Sequence, residues 1–187
     1  MDERSGSTMV DTVSGFDGRL RNVGIGVPAH YGRGYRFNGS SSIVTVGHTP
    51  RHNVPATTTF TVNALVRFPA PPRSVGDFDL VRKGVTASRG GHWKMEIFGN
   101  GRGYCQFRGS SGTVTVNDGP VLADGRWHRV TCVKRAASVS LVVDGVTYTR
   151  RERVGAIRNT APLTIGAKAS GGDWFRGVMD EVNIVNG

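Results

Sequence analysis

A chain of 187 residues has the size of a single domain and is long enough to bury a core without staples. Its 27 Gly and 8 Pro fall as punctuation between short apolar runs, and no window sustains a capped helical period, which excludes a helical bundle. The 24 Lys and Arg against 14 Asp and Glu leave a formal charge of +10, which favours anionic partners without defining a site for them.

The chain opens on the charged, polar MDERSGSTMV, which lacks a signal-peptide pattern and is the opening expected of a mature fragment. Residues 1–8 offer nothing to pack and are expected to be a disordered tail or an expression remnant, with one domain over residues 9–187. MVDTVSGFDGRLRNVG carries Asp-Gly turn signals and then a short strand. In GYRFNGSSSIVTV, Tyr35 and Phe37 share one face before a Gly-Ser turn, and Val44 and Val46 share a face after it, which predicts a hairpin.

TTTFTVNALVRF places Phe60, Val62, Ala64, Val66 and Phe68 on one face and Asn63, Leu65 and Arg67 on the other, the pattern of a long central strand. Pro69, Pro71 and Pro72 end it. After the short run DFDLVRKG, Trp93, Met95 and Ile97 alternate with Lys94 and Glu96. Asn100-Gly101 then turns the chain into YCQFRG, where Cys105 and Phe107 point in and Gln106 and Arg108 point out. GTVTV is a further strand. DGRWHRVTCVKRAASVSLVVDG reads as two strands bounded by Asp-Gly turns, with Val130 and Cys132 on one buried face and Val139, Leu141 and Val143 on another. Trp127 at the entry to this unit is expected to plug the core.

The Asp-Gly-Arg-Trp-His turn, the Val-Asp-Gly strand end, the Leu-Thr-Ile-Gly run and the closing FRGVMDEV resemble the laminin-G-like, concanavalin-A-like family, of the kind found in secreted actinobacterial proteins. The resemblance runs from Met9 to Gly187 and implies an all-β, two-sheet antiparallel β-sandwich of jelly-roll type. The residues alone leave Cys105 and Cys132 open as buried thiols or a bonded pair. The resemblance implies a disulfide, and with it a secreted, extracellular setting.

This fold also hosts glucanases and lyases, so catalysis needs its own evidence. The Glu-x-Asp-x-x-Glu run of related glucanases is missing, and the spacing within DFD and DE is wrong for it. The lyase strands that read Arg-Thr-Glu-Leu-Arg and Gln-Ile-His are also missing. His48 and His52 are separated by Pro50 and read as a surface loop rather than a metal pair. No Gly-x-Ser-x-Gly elbow occurs.

Two binding constellations remain. In GVMDEVNIVNG the apolar phase Val178, Val182 and Ile184 includes Asp180, a carboxylate that needs donors or a cation when buried. The resemblance implies a structural Ca²⁺ held by Asp180 with Asn38, and the alternative is a carboxylate that caps backbone N–H groups. The second constellation is the outward set Asn63, Arg67, Lys94, Glu96, Gln106 and Arg108, with His92 and Trp174 as rim aromatics. It forms a ligand floor if its strands share one sheet, and an ordinary solvated face otherwise.

These observations lead to a non-catalytic extracellular binding module for glycan, with acidic polysaccharide suited to the charge. The rivals are a polysaccharide-active enzyme with an unfamiliar site and a structural or protein-docking domain of a larger secreted chain. No specific nucleic-acid partner is expected, because the densest basic cluster, Arg150–Arg153, is interrupted by Glu152. No apolar run is long enough to span a membrane.

Overall fold

The computed structural model describes residues 1–72 and 76–187. Its strands are β1 (Thr8–Met9), β2 (Gly18–Arg21), β3 (Gly24–Pro28), β4 (Arg33–Asn38), β5 (Ile43–Val46), β6 (Phe60–Arg67), β7 (Phe78–Lys83) and β8 (His92–Ile97). They continue with β9 (Gly103–Gly109), β10 (Gly112–Val116), β11 (His128–Arg135), β12 (Ser138–Val143), β13 (Val146–Arg150), β14 (Leu163–Ile165) and β15 (Arg176–Asn186). Among the described residues the strands form two antiparallel sheets. One holds eight strands in the order β1-β2-β5-β14-β7-β8-β9-β10, and the other holds seven in the order β13-β12-β11-β6-β15-β4-β3. A short 3-10 turn at Pro50–His52 occupies the loop before β6.

Alternation in the sequence sets the core. Phe60, Val62, Ala64 and Val66 of β6 are fully buried, and β11 places Cys132 opposite Val62 and Val130 opposite Ala64. From the other sheet come Trp93, Met95 and Ile97 of β8 and Cys105 and Phe107 of β9. The Phe60 ring lies 4.9 Å from that of Trp93 and 6.1 Å from that of Phe107, so the plug of this core is Trp93. Cys105 and Cys132 form a disulfide between the sheets across a separation of 27 residues, which in the chain-entropy view contributes about 3.5 kcal/mol.

The fold departs from the expectations of the sequence at three places. β4 and β5 do not pair: β4 lies between β15 and β3, and β5 lies between β2 and β14 in the opposite sheet. The connection arches between sheets because Asn38 Oδ1 gathers the amides of Ser40, Ser41 and Ser42 at 2.9, 2.9 and 3.2 Å, which turns the chain out of plane. Residues 1–8 differ from a disordered tail by their contacts. Glu3 accepts from the Tyr35 hydroxyl and the Val10 amide, Asp2 accepts from the Arg33 amide, and Thr8 pairs with Arg19. The fully buried Tyr35 ring needs a partner for its hydroxyl, and Glu3 supplies it.

The third departure is a bulge in β15. Glu181 adopts φ 51° and the register with β6 shifts between Asp180 and Asn183. Met179, opposite Val66, therefore points inward and Asp180, opposite Leu65, points outward, while Ile184 returns inward opposite Val62. The apparent single phase of Val178, Asp180, Val182 and Ile184 is split by the extra residue.

Candidate functional site

The outward set does not share one sheet. Asn63 and Arg67 lie on β6 of the seven-stranded sheet, whereas His92, Lys94, Gln106 and Arg108 lie on β8 and β9 of the eight-stranded sheet. They occupy opposite outer faces of the sandwich and form no common floor.

On the eight-stranded face, register brings His92 beside Arg108, Lys94 beside Gln106 and Glu96 beside Tyr104. β7 adds Asp79 beside Glu96 and Arg82 beside Lys94. His92 is buried and is not a rim aromatic: its Nε2 lies 2.9 Å from Gln106 Oε1, and its Nδ1 accepts from Arg108 Nε at 3.3 Å. Burial lowers its pKa, which suits the neutral ring that an accepting Nδ1 requires. Gln106 Nε2 donates to Tyr104 Oη at 2.8 Å and to Thr115 Oγ1 at 3.0 Å. Arg108 donates to the Ser88 carbonyl at 2.6 Å. These residues form a fixed hydrogen-bonded pavement.

Beside it lies an acidic cluster. Asp79 and Glu96 are both fully buried. Arg82 Nη1 donates to the two Asp79 oxygens at 2.9 and 2.7 Å, and Lys94 Nζ lies 2.7 Å from Glu96 Oε2. Burial, then the hydrogen bond to Asp79, pushes Glu96 up to about 8, so the pair shares one proton at neutral pH. Asp77 and Asp173 complete the cluster, each with an oxygen within 4.8 Å of the other and of Glu96. The loop before β15 carries Asp173 over β7, where its carbonyl accepts from the Asp79 amide at 2.8 Å, and Lys168 pairs with its carboxylate at 2.7 Å. Sequence reasoning weighed Asp77 and Asp79 only as a failed glucanase run and missed Asp173. The available signal was a carboxylate in outward phase on each of two successive strands.

The open part of the face is aromatic. Phe98 stacks on Tyr104 at 5.4 Å with planes 14° apart, Phe98 is 41% exposed, and Lys94 Nζ lies 5.0 Å from the Tyr104 ring centre. Trp174, half-buried, carries the Arg21 guanidinium 5.8 Å from its ring.

Asp180 and Asn38 are not brought together. Asn38 pairs with Arg176, four residues along β15 from Asp180, a rise of about 13 Å. Asn38 serves its own turn. The buried Asp180 accepts from the Tyr31 and Glu181 amides, both at 2.9 Å, which is the backbone-capping arrangement. Trp127 lies outside the core, with Arg67 5.1 Å from its ring and the His30 ring at 5.9 Å. No helix among the described residues is long and apolar enough to cross a membrane.

Comparison with solved structures places the architecture. The binding domain of Paraclostridial Mosquitocidal Protein 1 superimposes with TM-score 0.72 at 16% identity, over 96% of this chain and 48% of that one. Domains LG4-5 of the mouse laminin α1 chain match with TM-score 0.62 at 17% identity, over 81% of this chain and 40% of that one. Domain 4 of an extracellular arabinanase from Geobacillus stearothermophilus, solved with arabinotriose, matches with TM-score 0.62 at 16% identity, over 89% and 76%. The chain thus spans about half the length of the first of these structures. No curated protein matches the sequence. The family model described as the concanavalin A-like lectin/glucanases superfamily, laminin-G type, matches residues 38–187, and together with the two-sheet sandwich this shows that the chain belongs to that family.

Proposed function

We propose that this domain is a secreted, non-catalytic glycan-binding module, able to serve within a larger chain, and that sugar meets it at the Phe98–Tyr104 stack. The carrying observation is a near-parallel pair of rings, with Phe98 exposed and Tyr104 half-buried, beside the fixed polar groups of Lys94 and Gln106. Sugars present apolar faces to rings and hydroxyl edges to polar groups, so this juxtaposition suits them. The arabinanase domain solved with arabinotriose supports the reading as an example of the same sandwich with a bound sugar. A polysaccharide panel tests it. Retention without product release is expected, and Phe98→Ala is expected to weaken binding by about tenfold. Release of reducing ends would favour the enzyme of the same fold, and binding to no glycan would favour a docking domain.

A structural calcium ion is part of this proposal, held at Asp77, Glu96 and Asp173 instead of Asp180 and Asn38. Oxygen-only ligands suit that ion. Asp77, Glu96 and Asp173 bring carboxyl oxygens from three parts of the chain within 4.8 Å of one another, and a divalent ion bound there takes the place of the proton on Glu96. Its binding displaces the ammonium groups of Lys94 and Lys168. Elemental analysis after dialysis against calcium, compared with Asp77→Asn/Asp173→Asn, tests the assignment.

A further inference from the structure

The outer face of the seven-stranded sheet carries a different chemistry. Val178 pairs with Arg36 of β4 on one side and with Arg67 of β6 on the other. Val178 faces outward, so the two arginines flank it at a Cα separation of about 10 Å, two strand spacings. Arg176 stands two residues along β15, and Arg129 projects from β11 beside Leu65. Among the described residues none of these four guanidinium groups lies within ion-pair distance of a carboxylate. The carboxylate within this patch, Asp180, is buried and bonded to two backbone amides, so it does not pair with them.

The cations here are arginines for a reason visible elsewhere in the chain. Lys83 and Lys134 are buried and donate to backbone carbonyls, and Lys94 and Lys168 are paired with acids. Exposed positive charge is therefore left to guanidinium groups, whose planar forks match carboxylate and sulfate oxygens in pairs. Aromatic surface adjoins them. Trp127 holds the Arg67 guanidinium 5.1 Å from its ring, and Tyr31, 56% exposed, packs on His30 at 4.4 Å next to Trp127. Asn63, farther along β6, adds a hydrogen-bonding amide to the same face.

We infer that the outer face of the seven-stranded sheet is a second binding surface, selective for acidic polysaccharide. Arg36 and Arg67 are its anion forks, and Trp127 and Tyr31 are its sugar-facing rings. It is independent of the stack on the opposite face, where acids and bases are matched. Adjacent forks on a rigid sheet suit a polymer with repeated carboxylate or sulfate groups, and the rings suit the sugars that carry them.

The test titrates the whole chain with polygalacturonate, chondroitin sulfate, dextran and single-stranded DNA at constant salt of about 150 mM, where long-range attraction is screened. Arg36→Gln/Arg67→Gln is compared with Arg151→Gln/Arg153→Gln, exposed positions elsewhere that remove the same charge. The first pair is expected to weaken binding of an acidic polysaccharide by about tenfold or more and the second by less than about twofold. Equal losses would overturn the proposal in favour of diffuse attraction, and DNA bound as tightly, with the same loss, would overturn its ligand class. Arg36→Gln alone, at an exposed position, separates loss of binding from loss of fold. Phe98→Ala is expected to retain acidic-polysaccharide binding. Its loss there would mean one site instead of two, whereas failure of neutral sugars to bind would count against the stack alone.

Discussion

His128 Nδ1 lies 2.7 Å from Asp144 Oδ2, and its Nε2 lies 3.1 Å from Asp124 Oδ1. One imidazole thus joins the turn that enters β11 to the turn that leaves β12. Asp144-Gly145 forms that second turn with φ 49° and 87°, as a two-residue hairpin between β12 and β13 requires, and Asp144 Oδ1 also accepts from the Arg129 amide at 2.8 Å. The motifs Asp-Gly-Arg-Trp-His and Val-Asp-Gly are therefore two halves of one clamp.

Burial opposes a charge on His128, but the hydrogen bonds to Asp144 and Asp124 outweigh it and raise its pKa above 6.5. A raised folded-state pKa gives stability that is fully present below about pH 6.5 and lost as pH rises through the folded value. The melting temperature is expected to fall across that window, and His128→Gln is expected to flatten the fall by a few degrees. Calorimetry from pH 5.5 to 8.5 measures it, and a parallel slope in the variant would show that the clamp does not titrate.

Glu96 acts with the same sign for a different reason. Its folded pKa of about 8 against an ordinary 4.5 means that folding is favoured at low pH and loses support as pH rises from 4.5 to 8. Glu96→Gln keeps the shape, drops the charge and is expected to raise the melting temperature at pH 8 while changing little at pH 5. Calcium at the cluster competes with the shared proton, so its stabilising effect is expected to be larger at pH 8 than at pH 5 and to vanish with chelator. A calcium effect independent of pH would place the ion elsewhere.

Asp180→Asn is expected to cost about 1–3 kcal/mol, because an amide oxygen replaces a charged acceptor of two backbone N–H groups. Its response to chelator is expected to equal that of the unchanged chain. Loss of calcium dependence in this variant would return the ion to Asp180.

Removal of the disulfide by Cys105→Ala/Cys132→Ala is expected to lower unfolding free energy by about 2–5 kcal/mol with a folded, sugar-competent product. Urea titration measures the loss. A denatured, unreduced chain with two reactive thiols would show that the bond does not form in solution.

Period-two alternation determined most of the core, since Phe60, Val62 and Ala64 on one strand and Trp93, Met95 and Ile97 on another must turn the same way to leave water. Alternation tells which face of its own strand a residue occupies; it carries no information about which sheet the strand joins. Tertiary pairing therefore decided that Asn63 and Arg67 stand on the face opposite Lys94, Gln106 and Arg108, and that β4 and β5 part company at the Asn38 turn. The bulge at Glu181 is a one-residue event that inverts every later side chain, so Asp180 looked inward in the sequence and points outward in the fold. The acidic cluster was illegible for a related reason. Asp77, Glu96 and Asp173 come from separate parts of the chain, and only strand register and the loop crossing β7 bring their oxygens together, in surroundings dry enough to keep a proton on Glu96.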